Sequence, residues 1–326
     1  RLAAHCQKYR GSVPRLAALQ LLTTIVPLIA IVGAMFATVN QAYWATLLLA
    51  LPAAGLLVRA FIIQHDCGHG SFFASRALND FVGRAMSLLT LAPYGLWRRE
   101  HAQHHATSGN LDRRGAGDIK TMTVAEYRKL STLAKLQYKI YRHPAFLFGI
   151  GVPAYFVIIQ RLPWLHSLAA RDAWKSVLAL NLGLVALYAP LCYAFGIANV
   201  LWVGLPVLHI AAAAGGWLFF IQHQFEETTW EQTEGWDFQV AALLGSSYYD
   251  LPKVLNWFTG NIGLHHIHHL NSMIPNYRLM GCLEASPELK SINRLTLGES
   301  LRCTRLKLWD EEQRRLIGFD ELPATT

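Results

Sequence analysis

Fourteen histidines stand in the 326-residue chain, and nine of them fall at four positions: His65 and His69 in HDCGH, His101, His104 and His105 in HAQHH, His223 in QHQFE, and His265, His268 and His269 in HHIHH. Imidazoles at i, i+3 and i+4 of a helix project from one face within about 6 Å of one another. Two such faces meeting could enclose one or two metal ions, and three ordered clusters plus an isolated histidine are too regular for chance surface pairs. Neutral imidazole suits Zn, Cu, Fe and Ni alike. A structural zinc site closes with four ligands, which nine candidates exceed; they suit two ions, each with four or five nitrogen donors and positions left for oxygen or a bridging ligand. Carboxylate di-iron bundles use paired Glu-x-x-His motifs, and no such pair occurs.

Ligating imidazoles usually donate their other N–H to a carboxylate or carbonyl. Asp66, Asp112, Asp118 and Glu226 are near enough in sequence to serve. His5, His143, His166 and His209 read as ordinary core or surface residues; His209 stands 14 residues before His223, about 20 Å along a helix. Cys67 reads as a small packing residue. The five cysteines form no CxxC, so neither a zinc ribbon nor a redox motif is indicated, and a reducing compartment follows.

The elements that must position these histidines are apolar. Only 15% of the residues are charged, against about 25% in soluble domains. Leu16–Val58 and Ser176–Phe225 carry no charge over 43 and 50 residues, each long enough to cross a bilayer twice at about 20 residues per span. Both read as helical hairpins, turning near Val39–Gln41 and Gly196–Asn199. Lys and Arg crowd their flanks, the pattern of cytoplasmic ends, so the net charge of +8 points to anionic lipid and not to nucleic acid.

Met86–Trp97 reads as an interfacial helix. His143–Gln160 is uncharged but broken by Pro144, Gly149, Gly151 and Pro153; a crossing there would carry His223 to the opposite membrane face from His101, His104 and His105. The expected fold is an all-α polytopic membrane protein with four transmembrane helices in two hairpins and a cytoplasmic helical cap, whose last helix covers Leu308–Leu316. It forms one domain over 1–326, with hairpin 1 at 16–64, a cytoplasmic or interfacial segment at 65–175, hairpin 2 at 176–225 and a cytoplasmic C-terminal portion at 226–326. The first residue is Arg1, so further residues are expected upstream.

HDCGH, WRREHAQHH and GNIGLHHIHHL, in this order and with these gaps between apolar hairpins, resemble the three histidine boxes of the membrane fatty acid desaturase family over roughly Leu16–Asn276. HDCGH and IHHLNSMIPNY are most similar to the acyl-lipid omega-6 (delta-12) branch. The resemblance implies that the nine histidines hold two Fe ions, that O2 is the co-substrate, and that a cis double bond is introduced into a membrane lipid acyl chain. Electrons would come from a separate ferredoxin or cytochrome b5, since no HPGG-like haem motif is present, with the basic Arg98–Arg142 segment as docking surface.

Within the third box, HxxHH is met by His265, His268 and His269, which leaves His266 as a supporting residue. The stearoyl-CoA branch has an Asn one turn before its isolated histidine; here Phe219 stands there, and Asn261 is the candidate to fill the coordination position. The competing readings are a di-iron hydroxylase or ketolase acting on a carotenoid or alkane, and a zinc-dependent membrane hydrolase or zinc-binding protein. The expected location is a bacterial cytoplasmic membrane with the active site on the cytoplasmic side. Regiochemistry, head group and oligomeric state stay open.

Overall fold

The charge-free stretches fold as two pairs of long helices. The computed structural model describes residues 1–115, 118–162, 164 and 170–322; His166 lies outside them. Helices α1 (Pro14–Thr38) and α2 (Tyr43–His69) form the first pair. Two shorter helices follow, α3 (Arg76–Thr90) and α4 (Tyr94–Thr107). The second pair, α5 (Ala170–Phe195) and α6 (Ile197–His223), turns on Gly196 at φ 82°. Both turns fall where the sequence places them. α2 is the central element: 61% of its most apolar stretch is buried against protein, compared with 11–22% in the other apolar segments.

Among the described residues, five segments are long and apolar enough to cross a membrane, the four long helices and Pro144–Arg161. The expected count of four thus meets a fifth candidate. It is not one continuous α-helix, because short α-helical pieces at Pro144–Phe146 and Val152–Val157 flank a π-helical turn at Leu147–Gly151, and a 3-10 turn at Ile159–Arg161 ends it. Pro144 and Pro153 remove backbone donors and restrict their neighbours. The segment packs on α6 at Gly216, where an added Cβ would lie 2.7 Å from Val152.

Two local expectations give way. Met86–Trp97 is divided between α3 and α4, because Leu91 closes α3 in the left-handed region at φ 61° and Pro93 precedes α4. Leu308–Leu316 is a hairpin and not a helix. Strands Leu308–Asp310 and Arg315–Ile317 pair antiparallel, with Met122–Thr123 added in parallel on the first. Asp310 Oδ1 captures the N–H groups of Glu312 and Gln313 at 2.9 and 3.0 Å, a side-chain turn that competes with helix. A second small sheet pairs Tyr248–Asp250 with Arg294–Thr296. The C-terminal portion is therefore mixed.

One buried cation locks the middle segment to the rest. Arg142 donates to Lys120 O and Thr121 Oγ1 at 3.1 and 2.8 Å, and to Gln224 Oε1 and Leu306 O at 2.9 and 3.0 Å. Four partners from three parts of the chain fix the loop after α4 beside the end of α6.

Candidate metal centre

Box 1 is the last turn of α2, which ends because Gly70 adopts φ 75° and its N–H caps Asp66 O and Cys67 O. That left-handed cap favours glycine and leaves His65 and His69 at the helix mouth. Box 2 lies on α4, His223 is the final residue of α6, and box 3 is helix α7 (His265–Leu270). His65, His104, His223, His265, His268 and His269 are all buried.

The nine nitrogens sort into two groups. His65, His69, His101, His105 and His268 each offer one ring nitrogen, all within 4.8 Å of one another; His104, His223, His265 and His269 form a second set on the same criterion. The helices interleave. α4 gives its i, i+4 pair, His101 and His105, to the first group and His104 to the second, whereas α7 gives His265 and His269 to the second and His268 to the first. Nearest neighbours are closely spaced, with Nε2–Nε2 separations of 3.1 Å for His69–His101, His101–His105 and His104–His223, and 3.0 Å for His105–His268 and His223–His265.

The donor set fits a metal. His65 Nε2 and His269 Nε2 are buried with no hydrogen-bond partner, an arrangement that costs free energy unless a ligand meets it. The outer nitrogens of His65, His104 and His223 are held by protein, whereas Nδ1 of His265 and of His268 is buried without a partner. His65 Nδ1 donates to Asp66 Oδ1 at 3.0 Å, and Asp66 Oδ2 accepts from Asn276 N and Nδ2 at 2.6 and 2.8 Å. His104 Nδ1 donates to Asp118 Oδ1 at 2.6 Å, and His223 Nδ1 to Gly245 O at 3.2 Å. Burial first, and neighbouring imidazoles second, hold His101, His105, His265, His268 and His269 well below the usual imidazole range. They are neutral donors at physiological pH. Burial pushes Asp118 upward, but the facing His104 outweighs it and keeps the carboxyl below its ordinary value.

Asp66 and Asp118 thus meet histidines, and two other carboxylates do not. Asp112 accepts from Thr233 N at 2.8 Å in an exposed loop, and Glu226 is exposed. Asn261 occupies the left-handed region at φ 59° and forms the turn before α7, where its N–H donates to Asn256 O and its carbonyl accepts from Leu264 N. His266 points away from the clusters and its Nε2 donates to Leu289 O at 3.0 Å. His5 bonds Cys282 O, while His143 and His209 are exposed. Sequence reasoning missed Trp97, whose ring stacks on His101 at 4.5 Å; its place four residues earlier on α4 was the available signal. Asn276 and the Gly245 carbonyl carried none.

The sequence matches the fatty acid desaturase family over residues 41–289. The chain belongs to the fatty acid desaturase family. It is 42% identical to a fatty acid desaturase of Bacillus subtilis (strain 168) over 301 residues, covering 92% of this chain and 85% of that protein. It is 29% identical over 280 residues to the sn-1 acyl-lipid omega-3 desaturase (ferredoxin) of Nostoc sp. (strain 36), covering 81% and 72%. Identity to the sn-1 oleoyl-lipid 12-desaturase of Anabaena variabilis is 26% over 230 residues, covering 67% and 62%. The chain is accordingly a fatty acid desaturase-family oxidoreductase.

A desaturase needs an apolar slot ending at its metals. A cavity of about 750 Å³ reaches His65, His101, His104 and His265 and runs between α2 and α6 as far as Leu57 and Leu208. Its volume is that of a small-molecule site. One wall is polar: Glu100 and Gln160, both buried, share the Tyr155 hydroxyl, and Gln160 Oε1 has no partner.

Proposed function

We propose that the nine histidines hold two iron ions and that the chain desaturates the acyl chain of a membrane lipid in an O2-dependent reaction. The observation that carries this reading is the division of nine buried or half-buried histidines into sets of five and four beside an apolar cavity. At a metal–imidazole distance of about 2.1 Å, donors at right angles sit about 3.0 Å apart and tetrahedral donors about 3.4 Å apart. The 3.0–3.1 Å spacings favour right-angle donors over tetrahedral zinc. Bound iron would supply the redox chemistry that couples O2 reduction to removal of two hydrogens from neighbouring methylenes.

The protein's own part is to bind, orient and keep dry. The acyl chain lies in the slot with its methyl end towards Leu57 and Leu208 and its polar end towards Glu100, Tyr155 and Gln160, so proximity supplies much of the barrier lowering. Asp66, Asp118 and Gly245 O hold the outer nitrogens and orient the rings. Asp112, Glu226, Asn261 and His266 take no direct part.

His104 and His223 meet at 3.1 Å, which supports an even number of crossings between them. On that ground four helices span and Pro144–Arg161 is re-entrant within one integral-membrane domain. The basic flanks favour the cytoplasmic face for the site, in a bacterial cytoplasmic membrane. Arg98, Arg99 and Arg114 are paired with Asp80, Asp172 and Glu126, so exposed Lys120, Lys129 and Lys139 are the better docking charges for an acidic donor. Ferredoxin, named for the Nostoc relative, is that donor or is replaced by cytochrome b5. The reading is tested by metal analysis with turnover: about two irons per chain, and product only with O2 and reductant, support it. Activity with zinc alone would overturn it.

A further inference from the structure

Beside the acyl slot lies a second cavity of about 540 Å³. Its rim is exposed and charged, with Asp112, Lys120 and Glu126, and its floor is buried, with Thr121, Gln224 and His223. Phe219 lines both cavities, together with Gly115, Asp118 and Ile119, and supplies the one aromatic ring among these four. Its ring centroid is 5.2 Å from that of His104 and 5.5 Å from that of His223, so it stands at the four-histidine cluster with the polar cavity on one side and the acyl slot on the other.

The chemistry needs a second route. Each double bond formed takes two hydrogens from the acyl chain, two electrons from the donor and two protons from water, reduces one O2, and releases two waters. The acyl slot cannot carry protons and water while the chain fills it. We propose that the polar cavity is the proton-entry and water-exit route to the four-histidine cluster, and that Phe219 is the positioning residue that keeps this water out of the acyl slot. The proposal rests on the desaturase reading above. Water admitted to the slot would divert reduced oxygen to peroxide without product.

The first test needs neither metal nor turnover. Gly215→Cys places a thiol on the slot side, one turn before Phe219; a Cβ there has nothing within 4 Å. Its modification by a charged, water-soluble methanethiosulfonate, in which the introduced thiolate forms a mixed disulfide and methanesulfinate leaves, read by non-reducing mass spectrometry at residue 215, should be at least about tenfold faster with Phe219→Ala than with Phe219 or Phe219→Leu. In the iron-loaded enzyme, Phe219→Ala should raise peroxide released per O2 consumed several-fold at unchanged iron content, with Phe219→Leu restoring coupling. Met122→Trp, which fills the polar cavity, should lower kcat and enlarge the solvent deuterium isotope effect at unchanged KM for lipid. Equal labelling rates, or an unchanged peroxide yield, would overturn the partition; an unchanged isotope effect would overturn the route. Absence of any double bond from the parent chain would instead remove the desaturase reading, and the labelling comparison would still decide whether Phe219 is a barrier.

Discussion

The imidazole rings of His105 and His269 stack with centroids 4.1 Å apart and planes 17° from parallel, although each belongs to a different histidine cluster. The stack joins α4 to α7 where the two sets interleave, so removing one ring disturbs both. His105→Ala should cost metal at both clusters, leaving below about one ion per chain, whereas His69→Ala should leave about one, because metal affinity follows the supporting contacts as well as the ligands. Metal content of the purified variants checks this.

Asp118 reaches only the four-histidine cluster, through His104. Asp118→Ala should weaken metal binding there by about 10–100-fold and leave the five-histidine cluster loaded. Chelator competition should then resolve one weak and one unchanged site; two unchanged sites would remove Asp118 from the account.

His266 provides the opposite case. His266→Ala deletes a buried ring bonded to Leu289 O, so thermal stability should fall while metal content stays near that of the parent. An unpaired buried acceptor costs about 1–3 kcal/mol. Loss of metal in this variant would place His266 among the ligands.

These contrasts mark what the sequence makes legible. The i, i+3, i+4 spacing names eight of the nine clustered histidines, with the isolated His223 supplied by the family resemblance, and the charge-free runs give four long helices with their turns. Spacing on one helix does not say that His104 and His268 leave their own neighbours for the other cluster, because that division depends on how α4 and α7 cross. Asp66 and Asp118 meet histidines while Asp112 does not, since nearness in sequence leaves the loop path after α4 unspecified, and that path is set by distant Arg142. The Leu308–Leu316 hairpin is decided by the local carboxylate turn at Asp310, which apolar content alone hides.

Length of the slot should set acyl-chain preference. Leu208 lies 15 residues before His223 on α6, about 22 Å along the axis. Leu208→Trp should shorten the far end and shift preference to shorter acyl chains, seen as a change in relative kcat/KM across a chain-length series. An unchanged ranking would place the methyl end elsewhere.

Stability should carry a pH signature from Lys307. Its Nζ is buried beside Arg142, and burial first, with the Arg142 charge second, lowers its pKa to about 8 from 10.5. Between those values the unfolded chain holds the extra proton, so stability rises with pH across this window and is lost as pH falls towards about 8. The difference in Tm between the parent and Lys307→Met should therefore move in the parent's favour as pH is raised from about 7.5 to about 10. A pH-independent difference would contradict the buried, depressed lysine.

The central claim is that these histidines carry out acyl desaturation, and lipid analysis tests it most directly. The parent chain, His104→Ala and His268→Ala are to be expressed in a host of known lipid composition with a reductase and ferredoxin, and fatty acid methyl esters analysed with double-bond positions. A new cis double bond with the parent, dependent on O2 and absent from both variants at equal protein level, is the predicted result. An unchanged fatty acid profile with the parent, or the same new double bond in either variant, would contradict the account.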